Sequence, residues 1–248
     1  MTSIDIADEI GATLIEEIND LLDEIQQTFR DIEVAVNDAI SSIPWVLGWM
    51  ADGIRLAWDA ACDKISEFWE FIDETVGSEI GNTTRIHTVE VFWAREVGGP
   101  VSAQVAVAEA GNLESDDAWQ GDAAQAYRDR LSLHKAALAA VQTTLTNGIV
   151  GGLEKVRDAL VVYFWAIIAA LSALIVALLV AIGSILGGPT VVVGLLAVGG
   201  GILTAITAIT VARFHLESKS NAAKMDMELV VNSSTAFGWD HWPAGALS

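Results

Sequence analysis

The chain of 248 residues has little of what enzymes and metalloproteins usually carry. Its single cysteine, Cys62, excludes an internal disulfide and any Cys-x-x-Cys metal or redox site. The four histidines are isolated, and no His-Glu-x-x-His motif, phosphate-binding loop or serine-nucleophile motif is present. We therefore expect a protein that is not an enzyme, with no catalytic residues, no cofactor and no metal ligands.

Basic residues are also scarce. Thirteen Lys and Arg stand against 33 Asp and Glu, which gives a net charge of −20. Such a chain repels phosphate backbones, so we expect no nucleic-acid partner. The first residues include Asp5, Asp8 and Glu9 and no apolar stretch, so we expect no cleavable secretory signal peptide.

Charge is absent altogether between Ala159 and Ala212, whereas the first 80 residues hold 19 acidic and three basic side chains. The helical periodicity described below predicts an all-α fold of long helical hairpins or a bundle, one hairpin of which is apolar and of transmembrane type. Four segments follow from the charge distribution: an acidic amphipathic helical hairpin at 1–80, a mixed helical hairpin at 81–158, an apolar hairpin at 159–212, and a C-terminal helix with an aromatic tail at 213–248.

In the acidic segment, apolar residues recur every three to four positions, which predicts a helix over residues 3–40. The stripe comprises Ile6, Ile10, Leu14, Ile18, Leu21 or Leu22, Ile25, Phe29, Ile32, Val36 and Ile40. Ser41-Ser42-Ile43-Pro44 predicts a break in which a serine caps the next helix and proline occupies its first turn. A second helix is expected from there to about Val76, folded back on the first.

Four tryptophans lie in the second helix: Trp45, Trp49, Trp58 and Trp69. Tryptophan at helical spacing is typical of a packed core, and we favour that interpretation. The alternative is a membrane-interface surface, where the indole sits at the level of the lipid headgroups. The helix lacks the basic residues that attract anionic lipid, which weighs against the alternative.

The mixed segment predicts a helical stripe over residues 88–110, weakened or kinked at Gly98-Gly99-Pro100. An acidic loop at 111–117 precedes a second helix that begins near Ala118 and continues past Gly148.

The start of that second helix carries Trp119-x-Gly121, two alanines, the aromatic Tyr127, then Arg and Leu. Residues 88–158 thereby resemble the WXG superfamily of helical-hairpin proteins exported by type VII secretion systems. The resemblance implies that Trp119 and Gly121 shape the turn between antiparallel helices and that the hairpin pairs with a second WXG-type protein or a second copy of itself. The family's export signal usually includes Tyr-x-x-x-Asp/Glu. Here Tyr127 and Tyr163 are followed four residues later by Leu131 and Ile167, so export would need a partner or does not occur.

The charge-free segment consists of 27 residues from Leu160 to Leu186, a turn at Gly187-Gly188-Pro189-Thr190, and a second apolar run from Val191 to Val211. Each run is long enough for the roughly 30 Å hydrocarbon core of a bilayer. We expect two membrane-inserting helices joined by a tip at Gly187, Gly188, Pro189 and Thr190. The alternative is a hairpin buried inside a water-soluble protein.

Three threonines, Thr204, Thr207 and Thr210, share a face of the second apolar run. They predict either a pore-lining stripe or packing residues whose hydroxyls bond back to their own helix, and we favour the latter. Basic residues flank the hairpin on both sides and none occupies its tip. A conventionally inserted protein would therefore lie in the inner membrane with both termini in the cytoplasm.

The sequence as a whole predicts a membrane-inserting, pore-forming and oligomeric protein, toxin-like and related to type VII substrates, whose main partner is the lipid bilayer. In its soluble form the acidic helices would shield the apolar hairpin until a membrane competes for it. Such a protein would be membrane-associated or secreted without a cleavable signal peptide. Two alternatives remain: a constitutive two-span membrane protein, and a helical partner or chaperone in a type VII secretion complex.

Overall fold

The computed structural model describes residues 3–77, 82–108, 119–186 and 190–232, with side chains described from Gly11 onward. Across this part of the chain the fold is all-α, with no strands, as predicted. Its α-helices are α1 (Ser3–Ser42), α2 (Gly48–Ile72), α3 (Thr83–Phe92), α4 (Gly99–Val107), α5 (Asp122–Ala140), α6 (Asn147–Leu186) and α7 (Val191–Asn232). A 3₁₀ turn spans Trp45–Leu47, and π-helical turns span Asp73–Gly77, Trp93–Gly98 and Val141–Thr146.

The chain forms two compact units. Residues 1–82 and 160–216 form one, which we call the four-helix unit because it holds α1, α2 and most of the apolar parts of α6 and α7. Residues 83–159 and 217–248 form the second unit. The acidic segment and the apolar segment of the sequence are thus parts of the same compact unit.

Helices α1 and α2 run antiparallel, as the break between them predicted. The rings of Phe29 and Phe68 lie 6.4 Å apart and those of Phe29 and Trp69 lie 6.5 Å apart, both in edge-to-face geometry. The buried face of α1 is the apolar stripe of the sequence, for example Ile18, Ile25 and Ile32, which are fully buried. The helical period thus places the apolar side chains inside and the carboxylates outside.

The turn between α1 and α2 differs from the prediction in one respect. The hydroxyls of Ser41 and Ser42 donate to the carbonyls of Asp38 and Ala39, so both serines belong to the last turn of α1. The predicted serine cap on α2 is wrong. Helix α2 instead follows the short 3₁₀ turn, which provides a helical start without a side-chain cap.

Helices α6 and α7 form the predicted antiparallel apolar hairpin, and glycine lets them approach closely. A Cβ on Gly194 would lie 2.8 Å from the carbonyl oxygen of Ala181, and one on Gly201 would lie 3.0 Å from the Cβ of Ala177. No larger side chain fits at either position without movement of the facing helix. The two helices therefore approach closely at small residues, as helices commonly do in membranes.

In the second unit, the helical run from α3 to α4 packs antiparallel to α5 and the start of α6. Gly98 faces Thr146, whose methyl group would lie 3.0 Å from an added Cβ. The sequence Gly98-Gly99-Pro100, which was expected to weaken or kink the helix, stays helical. A π-helical turn ends at Gly98, and α4 starts directly after it. The last turns of α7 pack on the same part of α6, where Lys155 pairs with Asp226 at 2.8 Å.

Candidate functional site

One face of the apolar hairpin is buried against α1 and α2, which we call the cover. The largest fully buried side chains of this shared core come from all four helices: Ile18, Ile25 and Ile32 from α1, Phe68 from α2, Phe164, Ile167, Leu171, Leu174, Leu178 and Ile185 from α6, and Leu195 and Ile202 from α7. Because these side chains form one cluster, the hairpin and the acidic helices share a single hydrophobic core.

The carboxylates of the cover point away from that core. Every described Asp and Glu from Glu16 to Glu74 is exposed. The cover is therefore a pair of amphipathic helices that present apolar side chains to the hairpin and negative charge to water.

The opposite face of the hairpin, which we call the outer face, is not covered within the four-helix unit. Large apolar side chains are exposed along both of its helices: Val162, Trp165, Val176, Leu179, Val180 and Leu186 in α6, and Val192, Val193, Leu196, Leu203, Val211 and Phe214 in α7. A groove of about 710 Å³ separates the two stripes near Ala166 and Thr207. Large exposed apolar patches on protein surfaces commonly mark contacts with lipid or with another protein.

The three threonines of the predicted stripe are exposed on α7, and two of them, Thr204 and Thr207, line the groove on the outer face. Each hydroxyl donates to a carbonyl of its own helix: Thr204 to Gly200 at 2.8 Å, Thr207 to Leu203 at 2.7 Å and Thr210 to Ile206 at 2.8 Å. In this form their polarity is satisfied within the helix, which is the favoured one of the two predicted arrangements.

The α1–α2 turn lies at the same end of the four-helix unit as the last residue of α6, Leu186, and the first residue of α7, Val191, and we call this end the bundle end. Ile43, Pro44 and Leu47 of the α1–α2 turn line a cavity of about 470 Å³ together with Leu186 and Val191 of the hairpin.

Of the predicted tip residues, Gly187, Gly188 and Pro189 lie outside the described residues. The hydroxyl of Thr190 donates to the carbonyl of Ser184 at 2.6 Å, and the carbonyl of Thr190 accepts from the Gly194 amide at 2.9 Å. Thr190 therefore sits directly against the starting turn of α7.

The four tryptophans of the acidic segment divide into two pairs. Trp58 and Trp69 pack against the core, as the favoured interpretation predicted. Trp45 is 92% exposed and Trp49 is 72% exposed, both at the bundle end, so the core interpretation is wrong for this pair. Periodicity alone could not separate the pairs, because both Trp45 and Trp49 precede the part of α2 that packs against the hairpin.

The residues of the predicted WXG-like turn come together in the second unit. The rings of Trp119 and Tyr127 lie 5.6 Å apart, and Arg128 donates to the carbonyl of Trp119 at 3.0 Å. Gly121 has φ = 101°, a conformation that favours glycine, and its carbonyl accepts from the Gln125 amide in the first turn of α5. The indole, the glycine and the arginine thus fix the start of α5.

Sequence reasoning missed a buried charged cluster in the second unit. The carboxylate of Glu90, whose side chain is 5% exposed, accepts from Arg157 at 2.6 Å and lies 3.0 Å from Nδ1 of His87. The second oxygen of Glu90 and Nε2 of His87 have no hydrogen-bond partner among the described residues. The cluster joins α3 to α6 across 67 positions of sequence, a pairing that no local pattern reveals.

Two helical stretches, Asp122–Leu186 and Val191–Asn232, are long and apolar enough to cross a membrane. Buried helices of water-soluble proteins can meet the same criterion. The described residues contain no group of three potential metal ligands. No family model matches the chain, and no curated protein or solved structure is significantly similar to it. Function is therefore inferred from the surfaces of the two units.

Proposed function

We propose that the protein is a membrane-inserting, pore-forming protein that exchanges a water-soluble form for a form in which the α6–α7 hairpin spans the bilayer. The supporting observation is that the charge-free hairpin packs against acidic helices on one face and exposes apolar side chains on the other. The apolar outer face can contact lipid directly, and the cover shields the opposite face of the hairpin from water.

The cover cannot follow the hairpin into a bilayer. Helix α1 carries acidic residues along its whole length, from Asp5 to Asp38, and one base, Arg30. Each charge at mid-bilayer costs on the order of 3 kcal/mol on insertion scales, so α1 would be opposed by tens of kcal/mol. The spanning form therefore requires α1 and α2 to leave the hairpin.

Helices α6 and α7 are suited to enter the bilayer together. They touch through Gly194, Gly201 and Ala177, a contact that depends on close van der Waals packing and persists in lipid. The cover is held by bulky apolar side chains such as Phe68, whose burial is favourable only against water. A bilayer consequently competes with the cover and leaves the hairpin contact intact.

Low pH is the proposed trigger. The exposed carboxylates of the cover repel anionic membranes at neutral pH, and protonation removes that repulsion. Released hairpins would then assemble in the membrane, where their freed inner faces become available to neighbouring copies. The shared core favours this conditional form over a constitutive two-span protein, in which the cover would have no apolar surface to pack against.

Release of a trapped dye from liposomes tests the proposal. We expect leakage that increases from about pH 7.5 to about pH 5, where carboxylates begin to take up protons. Absence of leakage over that range, from protein whose helical circular dichroism shows it to be folded, would contradict pore formation. A protein that needs detergent for purification would instead support the constitutive two-span alternative.

A second candidate function rests on the second unit. The assembled turn at Trp119, Gly121 and Tyr127 supports the resemblance to WXG proteins, and with it a role as helical partner in a type VII secretion complex. Affinity purification of the tagged chain from cells that express a type VII system tests this role. We expect a stoichiometric WXG-type protein to co-purify, and Gly121→Val, which strains the turn, to abolish its recovery.

A further inference from the structure

We propose that the bundle end is the surface that first contacts the membrane, and that at neutral pH it docks on zwitterionic lipid in preference to anionic lipid. The proposal rests on the membrane-inserting function and adds the place and the lipid class of the first contact. It concerns the α1–α2 turn, a segment outside the apolar hairpin.

The bundle end lies where the apolar hairpin meets the α1–α2 turn. The α1–α2 turn shares a cavity with the ends of the two hairpin helices, through Ile43 and Leu47 on one side and Leu186 and Val191 on the other. A surface that meets the α1–α2 turn therefore lies close to these two helix ends. A membrane bound there would hold the hairpin with Leu186 and Val191 towards the bilayer.

The bundle end also carries exposed aromatic side chains. Trp45 and Trp49 expose most of their surface at this end, with Val46 and Leu186 exposed beside them. Two bare indoles in water are unfavourable, whereas at the headgroup level of a bilayer the ring is buried and its N–H keeps a polar partner.

Charge determines which lipid fits. No charged residue lies between Asp38 and Asp52, or from Ala159 to Ala212, and Arg55, the base that follows Asp52, is paired with it at 3.0 Å. The bundle end therefore has, among its described residues, no unpaired Lys or Arg with which to attract anionic lipid. The surrounding cover carries a large negative charge, which repels an anionic bilayer at a distance of about 10 Å or less at moderate salt. A neutral headgroup layer has no such repulsion, so the bundle end fits zwitterionic lipid.

A second copy of the chain is the competing occupant, and charge disfavours it. End-to-end docking of two copies would bring the carboxylate of Asp38 in each protomer, which lines the cavity at this end, towards that of the other. Each protomer carries a net charge of −20, so their approach is opposed, whereas a bilayer receives the same apolar surface without that repulsion.

Vesicle sedimentation at neutral pH tests the proposal, with vesicles of phosphatidylcholine alone and of phosphatidylcholine mixed with phosphatidylglycerol. We expect stronger binding to the first. The double variant Trp45→Ser/Trp49→Ser should bind phosphatidylcholine vesicles at least about tenfold more weakly, because burial of one large side chain exceeds the 1.4 kcal/mol that a factor of ten requires. Both tryptophans are exposed, so the variant keeps its core.

Trp165→Ser is the matched control, since Trp165 is exposed on the outer face, about 30 Å of helix away from Leu186 at the bundle end at 1.5 Å per residue. We expect this variant to bind as the wild type does and to release less dye at low pH. As a second measurement, a polarity-sensitive fluorophore on Val46→Cys in a Cys62→Ser background should shift to shorter wavelength when phosphatidylcholine vesicles are added.

The outcomes separate the docking site from the function. Equal binding of the double variant and the wild type, or stronger binding to the anionic vesicles, would overturn the bundle end as the docking site even if the wild type releases dye. A dimer in sedimentation that the double variant loses would assign the surface to a second copy instead. Binding that depends on Trp45 and Trp49 without any leakage would support the docking site and count against pore formation.

Discussion

The apolar hairpin makes two contacts that differ in kind. Its own helices meet through Gly194 and Gly201, where even one added methyl group would press on the facing helix. It meets the cover through large side chains such as Phe68 and Ile25, which are fully buried. The first contact depends on shape and the second on the exclusion of water, so a change of solvent from water to lipid weakens the second and spares the first.

Under the proposed function, the same chain occupies both water and lipid. In the four-helix unit, the contact expected to persist and the contact expected to open are built from different residue types. Four experiments test this difference, ordered from the largest expected effect to the smallest.

A disulfide between the cover and the hairpin should block release. A Cβ on Gly199 would lie 3.9 Å from Cγ of Lys64, so Lys64→Cys/Gly199→Cys places two thiols within reach of a bond. In a Cys62→Ser background, we expect the oxidised protein to lose nearly all dye release and to regain it with a reductant. Lys64→Cys alone is the control. Equal leakage from the oxidised and reduced forms would show that the cover does not need to leave.

Weakening the water-dependent contact should ease release. Phe68→Ala removes a fully buried ring that packs on Phe29 and Trp69, and we expect a loss of about 3–5 kcal/mol in the free energy of unfolding. Urea unfolding measures this loss, and dye release should begin at a higher pH than in the wild type. Leu56→Ala, at an exposed position of the same helix, should change stability by less than about 0.5 kcal/mol. Equal effects of the two variants would contradict the assignment of the core.

Widening the hairpin contact should also destabilise the protein, with the opposite effect on leakage. A side chain on Gly194 meets the carbonyl of Ala181, so we expect Gly194→Val to cost about 1–3 kcal/mol and to reduce dye release. Gly200→Ala is the matched control because no atom lies within 4 Å of its added Cβ. It should be neutral or stabilising by up to about 1 kcal/mol. An increase in leakage from Gly194→Val would show that separation of the two helices is part of insertion.

The thiol of Cys62 reports opening of the cover with the least perturbation. Burial, followed by the negative charges of Asp59, Glu33 and Asp63, raises the pKa of this thiol above its ordinary value of 9.0. We therefore expect alkylation at neutral pH to be slower than in urea, and its rate to rise with pH later than that of a free thiol. Vesicles at low pH should accelerate the reaction relative to the same pH without vesicles. An unchanged rate would indicate that α2 stays in place.

The same raised pKa gives the pH dependence of stability a sign. The pKa of the Cys62 thiol is higher in the folded protein than in the unfolded chain, so between these two values the folded protein binds more protons. The free energy of unfolding therefore falls as the pH rises through this interval above 9.0. Below the interval, the stability contributed by Cys62 is fully present.

Local pattern predicted the helices and their buried stripes, because the 3.6-residue period of α1 records which side faces the core. Contacts between residues that are distant in sequence were harder to predict. The cover over the hairpin was inferred only from charge, and the pairing of Glu90 with Arg157 left no local signal. Trp45 and Trp49 were misjudged because a tryptophan at a helix start can face either way, and only the position of the neighbouring helix decides.

The uninterrupted course of α7 sets a condition on membrane thickness. From Val191 to Ala212 it offers about 33 Å of apolar helix, while α6 offers about 42 Å from Ala159 to Leu186, at 1.5 Å per residue. The apolar lengths of the two helices thus differ by about 9 Å. The longer helix, α6, can compensate by tilting, and Arg213 at the end of α7 can extend its apolar stem so that its charge reaches the membrane interface. In a thin bilayer, both helices are longer than the hydrocarbon layer. We therefore expect the protein to distinguish membranes by thickness as well as by headgroup, and to insert most readily where the hydrocarbon layer approaches the length of its shorter helix.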